Sequence, residues 1–475
     1  MTDIAGGPGV PGQPSTMSGD RNRRFYLAAW RWHFYAGLYV APFLIMLAVT
    51  GLIMMYVAFF DGRDGDKIRI ETAGTTLSLE QQGAAALSSV QDARLVEWIG
   101  PANAQGASVF RVSSPSGAFM VAVNPYSAEV IDVWDRRAGW YDFASDIHGT
   151  LLIGTLGDRL IEIAASFGIV LVVTGLYLWW PRGGASLLSA FVPDLSLRSR
   201  GLWKNLHQTV GLYCSLLLVV FLVSGLAWAG IWGEKFVQAW STFPAEKWEN
   251  VPLSDETHAH MNHGATKDVP WGLEQTPMPA SGSDVGAAGV PVGDAVNADS
   301  IAKLGHAIGF HGRFRLHYPG DENAVWTLSR DSMSNDSSDP TSDRTVHVDQ
   351  HTGKILADVR FSDYSLAAKS MAVGIAFHEG DLGVWNLILN TVFCLSVIFV
   401  SVSGVVMWWI RRPKAAGMRL LAPRTPDHLP HWRGAMLMML VLSLAFPLVG
   451  LTLISVLALD LLIVSRIPAL KKAVG

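Results

Sequence analysis

Two cysteines are all that 475 residues contain. Both, Cys214 and Cys394, fall inside long apolar runs, so no disulfide framework braces the polar segments. No C-x-x-C-H occurs, which excludes covalently attached c-type haem. Without a Walker sequence, or a G-x-G-x-x-G after a strand pattern, a fused ATP- or nicotinamide-binding domain is not expected. Charge is scarce too: 16% of residues are charged, where a soluble chain carries about a quarter. The net charge of −4 says little about partners, and nucleic acid is not expected among them.

What is there instead is apolar, at 50% of the chain. Four runs reach the roughly 20 residues that a bilayer core demands: Phe34–Phe60, Ile163–Trp180, Leu206–Gly233 and Leu382–Ile410. A fifth, Gly434–Leu459, is broken by Pro447 and Gly450. These runs predict an integral membrane protein with the lipid bilayer as its surroundings. Arg21, Arg23, Arg24 and Arg31 precede the first run; Arg182, Arg198, Arg200 and Lys204 separate the second from the third; Arg411, Arg412 and Lys414 follow the fourth. By the positive-inside rule these segments face the cytoplasm and residues 61–147 and 234–377 lie outside. The expected organisation is a disordered tail (1–20), spans at 21–60, 148–182, 205–233 and 378–412, cytoplasmic loops at 183–204 and 413–432, and a closing hydrophobic segment (433–466). That segment is one helix or a hairpin, with Arg433 before it and Arg466, Lys471 and Lys472 at its far end favouring the hairpin. The first span is too long and too far from the start for a cleavable signal peptide.

The two halves repeat one plan of span, outer domain, span. VAVNPYSAEVIDV (121–133) and VHVDQHTGKILAD (346–358) each alternate around a turn, the mark of a β-hairpin, with Ser108–Val112 and Ala324–Leu328 as partner strands. Both outer domains therefore read as small α+β units. Residues 254–300, rich in Gly, Ala, Ser and Pro after a THAHMNHG stretch, read as a flexible insertion in the second.

Each span also carries a histidine at its N-terminal approach and a Thr-Gly or Ser-Gly near its far end. His33 is followed by Gly37, Thr50 and Gly51; His207 by Gly211, Ser224 and Gly225, at the same offsets. His148 precedes Thr174, and His378 precedes Ser403. Given the topology, His33 and His207 sit at the cytoplasmic edge, His148 and His378 at the outer edge. One histidine near an interface is commonly a headgroup contact; four in equivalent positions, pairing by face, fit bis-histidine ligation of two b-type haems. Gly37, Gly51, Gly211 and Gly225 would clear space for a flat macrocycle or a neighbouring helix, with each far-end glycine flanking the opposite pair's haem. His258, His260 and His263 form a candidate additional metal site. His306, His311 and His317, beside Arg313 and Arg315, read as a solvated face. Arg136 and Arg137 read equally as anion contacts and as ordinary interface charges.

The H-x3-GLY starts, the [ST]-G helix ends, the LYLWWPR close, the VNPYSAEV and VDQHTGKI hairpins and the final FPLVGLTLISVLALDLL together resemble the PepSY-associated transmembrane family. The resemblance implies an internally duplicated membrane α-helical bundle of four core helices plus the C-terminal segment, bearing two periplasmic α+β PepSY-like domains. It further implies similarity to ferric-siderophore reductases of the bacterial inner membrane. On that likeness, two haem b groups held by His33, His207, His148 and His378 carry electrons to a ferric siderophore or other ferric chelate, supplied by quinol or by a cytoplasmic or flavin reductase. Two alternatives stay open: a membrane-anchored PepSY module that binds or regulates a partner, and a metal- or proton-coupled transporter.

Overall fold

Uncharged runs of Leu, Val, Ile and Phe become helices, and alternating segments become strands. The computed structural model describes residues 15–182, 188–238, 250–262, 269–412, 423, 433–463 and 466–467. In chain order the elements are α1 (Ser15–Phe60), α2 (Leu79–Ser88), β1 (Arg94–Ile99), β2 (Ser108–Ser114), β3 (Gly117–Val123), β4 (Val130–Asp135), α3 (Trp140–Thr150), α4 (Thr155–Trp179) and α5 (Ser199–Leu226). There follow β5 (Leu253–Thr257), β6 (Pro277–Pro279), α6 (Ala298–Ala307), β7 (Arg315–His317), β8 (Val325–Arg330), β9 (Arg344–Asp349), β10 (Ile355–Arg360), α7 (Leu366–Glu379), α8 (Val384–Arg411), α9 (Arg433–Ala445) and α10 (Pro447–Leu462). Among the described residues four helices are long and apolar enough to cross a membrane: α1 from Arg23 onward, α4, α5 and α8. The chain is thus a multi-pass membrane protein.

Two compact units divide it. One comprises residues 1–44, 163–219 and 396–475, the other 45–162 and 220–395. In the first, Trp203 stacks on Phe399 with ring centres 6.0 Å apart, and Phe25 meets Tyr177 at 4.4 Å. Gly450 comes against Ser443, where an added Cβ would lie 3.0 Å from that residue's Cβ. Seven residues along a straight helix span about 10 Å, so the chain folds back at Phe446–Pro447 into a helical hairpin. Helix α1 already begins at Ser15, inside the expected disordered tail; residues 1–14 lie outside those described.

The second unit is built on one antiparallel sheet of eight strands, ordered β10-β9-β8-β7-β1-β2-β3-β4. The expected hairpins are there as β3–β4 and β9–β10. Instead of two separate outer domains, however, the two four-stranded meanders join edge to edge through β1 and β7, where Trp98 faces Leu316. Alternation then sorts the faces. Trp98, Phe110, Val121, Leu316, Leu328 and Val346 bury one face beneath α2 and α6 as a single core shared by both meanders. Each covering helix starts with a reciprocal cap, Ser78 with Gln81 and Asn297 with Ser300. The supposed flexible insertion also packs: Val269, Trp271 and Leu273 are buried with Tyr364 and Ile375. Its small-residue composition hid these anchors; residues 263–268 lie outside those described.

The opposite face carries a buried polar row. Arg111, Glu97, His317, Thr327 and His347 stand directly opposite one another on β2, β1, β7, β8 and β9. Arg313, Arg315 and His317 are therefore buried rather than part of a solvated face. At the end of the row His258 Nδ1 donates to Thr276 O (2.7 Å), His347 Nε2 donates to His258 Nε2 (2.9 Å), and Thr327 Oγ1 donates to His347 Nδ1 (2.9 Å). That pattern accommodates two neutral imidazoles. Burial lowers His258 to about 4, and burial with the neighbouring His258 and His317 lowers His347 well below its usual value. Between pH 6.5 and about 4 the unfolded chain therefore binds protons that the folded one refuses. Stability is full above pH 6.5 and falls as pH drops through this window, by about 3 kcal/mol from His258 alone. Urea titrations at pH 7.5 and 4.5 test this; equal midpoints would contradict it.

Candidate functional site

The four histidines singled out in the sequence come together as two pairs, one within each unit. His33 of α1 and His207 of α5 place their ring centres 6.3 Å apart with planes at 88°. His148 of α3 and His378 of α7 do so at 6.2 Å and 78°. A metal–imidazole bond is about 2 Å long and the ring centre lies about 1 Å beyond the nitrogen, so two imidazoles sharing one metal atom have centres roughly 6 Å apart. Both pairs have that spacing.

Each imidazole is held by the hydroxyl of an [ST]-G motif on another helix. His33 Nδ1 is 2.9 Å from Thr174 Oγ1, and His207 Nδ1 is 2.8 Å from Ser403 Oγ. In the other unit His148 Nδ1 is 2.9 Å from Thr50 Oγ1, and His378 Nδ1 is 2.8 Å from Ser224 Oγ. Every one of these hydroxyls spends its own proton on a backbone carbonyl: Val170 at 2.7 Å, Val400 at 2.8 Å, Met46 at 2.8 Å and Val220 at 2.8 Å. The hydroxyl oxygen must then accept, and the proton sits on histidine Nδ1. Val400 O, 3.1 Å from His207 Nδ1, demands the same, because a carbonyl cannot donate. All four Nε2 atoms consequently carry lone pairs, the form a metal ligand needs. Burial lowers His148 to about 4 and His378, with His148 beside it, to about 3, keeping both neutral.

The glycine after each hydroxyl residue faces an imidazole, most tightly at Gly175, while at the other three a Cβ would make ordinary contact. A Cβ on Gly175 would lie 3.2 Å from His33 Cε1, on Gly404 3.7 Å from His207 Cε1, on Gly51 3.8 Å from His148 Cε1, and on Gly225 3.6 Å from His378 Cε1. Each far-end glycine therefore stands beside the other pair's histidine, where the sequence places it. Gly37 and Gly211 both line a cavity of about 460 Å³ around His33 and His207, and a Cβ on Gly211 would meet nothing within 4 Å among the described residues.

His148 and His378 do not lie on the long spans, as the continuous runs 148–182 and 378–412 suggest. Each ends a short helix that breaks before the span begins. Leu151 and Leu152 take positive φ, and Gly157 admits the carbonyl of Thr150, which a Cβ would meet at 1.7 Å. After α7 the turn uses Gly380 (φ +91°). Asn390 Nδ2 then donates to the carbonyls of Phe377 (2.7 Å) and His378 (3.2 Å), and Asn386 Nδ2 to Phe377 (3.0 Å). Arg63 lies over the Tyr141 ring of α3 at 4.6 Å and pairs with Glu379 of α7 at 3.5 Å, tying the two histidine-bearing helices together.

Sequence reasoning missed the hydroxyls, although the repeated [ST]-G motif was the signal for them; it missed Asn386 and Asn390, whose N-x3-N spacing inside an apolar run was the signal there. Of the proposed additional metal site, His258 is buried against His347, whereas His260 is exposed near Glu256 at 3.6 Å, and His263 lies outside the described residues. No group of three or more His, Cys, Asp or Glu side chains able to hold a metal ion forms among the described residues. Arg136 pairs with Asp64 and Asp142, and Arg137 with Asp146, so both serve the fold.

The description of the PepSY-associated TM region matches residues 30–411, which include all four histidines and all four [ST]-G motifs. The chain belongs to that family. No curated protein matches it. Within this PepSY-associated protein, replacing Thr174 by valine keeps the volume but removes the acceptor for His33 Nδ1–H. Loss of such an orienting partner typically weakens metal affinity 10- to 100-fold. If His33 and His207 hold a metal-centred group, retention of that group by the variant through dilution, compared with the parent, measures this; identical retention would refute the role given to the hydroxyl.

Proposed function

We propose that this PepSY-associated protein is a di-haem b-type cytochrome of the bacterial inner membrane that reduces ferric chelates, ferric siderophores foremost, in the periplasm. The carrying observation is the two pairs of tautomer-fixed imidazoles with ring centres 6.3 and 6.2 Å apart. Haem b, when bound, supplies an iron that alternates between ferric and ferrous states one electron at a time. His33 and His207 would hold one haem, and His148 and His378 the other. The four hydroxyls would keep the Nε2 lone pairs aimed, and apolar side chains such as Leu171 and Val397 line the cavity. Since only an electron moves, no acid or base residue is required. A ferric ion that gains one electron becomes ferrous and loosens its hold on hard oxygen donors.

The basic residues around the helix ends nearest His33 and His207 support a cytoplasmic placement of that pair by the positive-inside rule. Electrons from a quinol or a cytoplasmic or flavin reductase would then enter there and leave at His148 and His378. The shared order of one helix and a four-stranded meander, α2-β1-β2-β3-β4 and α6-β7-β8-β9-β10, supports an internal duplication. A membrane-anchored regulatory module would use the sheet but gives the four imidazoles no role. A proton relay would use the same imidazoles, but burial disfavours the charged form of His148 and His378 on which it depends.

The test is anaerobic mixing of the dithionite-reduced, desalted protein with a ferric hydroxamate. Reoxidation of the haem bands, with one ferrous ion trapped per haem, is the expected result. A reduced spectrum that persists in excess chelate would assign another acceptor.

A further inference from the structure

The cavity around His33 and His207 is sorted end to end. Arg200 and Lys204 precede His207 on α5, and Arg411 follows Gly404 on α8, the glycine beside His207; all three line the cavity. Leu44, Leu218 and Val397, which line it too, lie on the opposite side of those histidine and glycine levels. One end of the cavity is thus cationic and the other is carbon. Arg200 Nε is buried and has no hydrogen-bond partner among the described residues. Arg411 stacks over Trp30 and Phe34 at 5.3 and 5.5 Å, which holds its charge at this end. The matching ligand is an apolar plate with anions along one edge.

We infer that Arg200, Lys204 and Arg411 anchor the two propionate carboxylates of the haem held by His33 and His207 and so fix its rotation about the axis through the two imidazoles; this rests on the di-haem reading above. Charge-assisted contacts from guanidinium and ammonium groups are the strong class of hydrogen bond to carboxylates. Three cations facing two carboxylates also leave excess positive charge beside the iron, which favours its ferrous state.

Redox titration of the purified full-length protein, followed in the visible bands, tests the assignment. In R200Q/K204Q/R411Q one of the two haem midpoints should fall, or that haem alone should be lost, while the other is unmoved. Arg412→Gln is the control: its guanidinium stacks on Trp408 and Trp409 and does not line the cavity, and both midpoints should stay. Should the triple variant fail to accumulate, Arg200→Gln and Lys204→Gln singly should each lower the same midpoint in part. Two bound haems with both midpoints unchanged would overturn the anchoring and give the three cations to lipid phosphate. A parent protein without haem would instead overturn the di-haem reading itself, so the two failures are distinguishable.

Discussion

Replacement of His207 by alanine is expected to leave the purified protein with one haem per chain instead of two. His207 supplies one of the two Nε2 atoms in its pair, and its removal leaves His33 alone beside an enlarged apolar cavity. The second pair does not depend on it. His148, His378, Thr50 and Ser224 all belong to the other unit, with their own hydroxyl contacts. His148→Ala should accordingly remove the other haem and spare the first. A pyridine haemochrome assay against protein concentration reads the count directly. Two haems remaining in His207→Ala would remove that residue from the ligand set.

Glu97→Leu should be the most damaging single change in the sheet. Glu97 is 1% exposed, between Arg111 and His317 in the polar row. Its carboxylate lies 3.4 Å from Arg111 Nε, 3.5 Å from an Arg315 amine and 3.2 Å from His317 Nε2. Leucine fits the volume but removes the Arg111 counter-charge, whereas Arg315 keeps Asp64 at 2.9 Å and Asp336 at 3.0 Å. Removing one partner of a buried ion pair costs about 3–5 kcal/mol, because the remaining charge stays desolvated. Glu97 also stands on β1, the strand that joins the two meanders through β7, so the loss strikes the seam. Urea unfolding followed by the fluorescence of the buried Trp98 and Trp326 measures the change. A loss below about 1 kcal/mol would mean that Arg111, like Arg315, is satisfied without Glu97.

The histidine pairs were legible in the sequence because one offset pattern recurs, and helix periodicity converts a repeated offset into a repeated position. The hairpins were legible because alternation and turn residues are local signals. The joining of β1 to β7 was not, since it pairs Glu97 with His317 across more than two hundred residues and no local pattern records a strand's non-local partner. The same holds for Trp271 and Leu273, whose burial depends on Tyr364 and Ile375 far along the chain. The breaks before α4 and α8 were obscured by leucine, since Leu151 and Leu152 look helical by hydropathy yet take left-handed conformations. The hydroxyls of Thr50, Thr174, Ser224 and Ser403 stood in plain view, but only a packed neighbour reveals that they accept from imidazole.

The central claim is that paired imidazoles on neighbouring helices grip one iron each. Electron paramagnetic resonance of the oxidised, purified protein examines it without any assumption about the electron donor or acceptor. Two strongly anisotropic low-spin ferric haem signals are predicted, as two nitrogen ligands with nearly perpendicular ring planes require. Colourless protein purified from haem-replete cells, or high-spin haem as the main species, would contradict it.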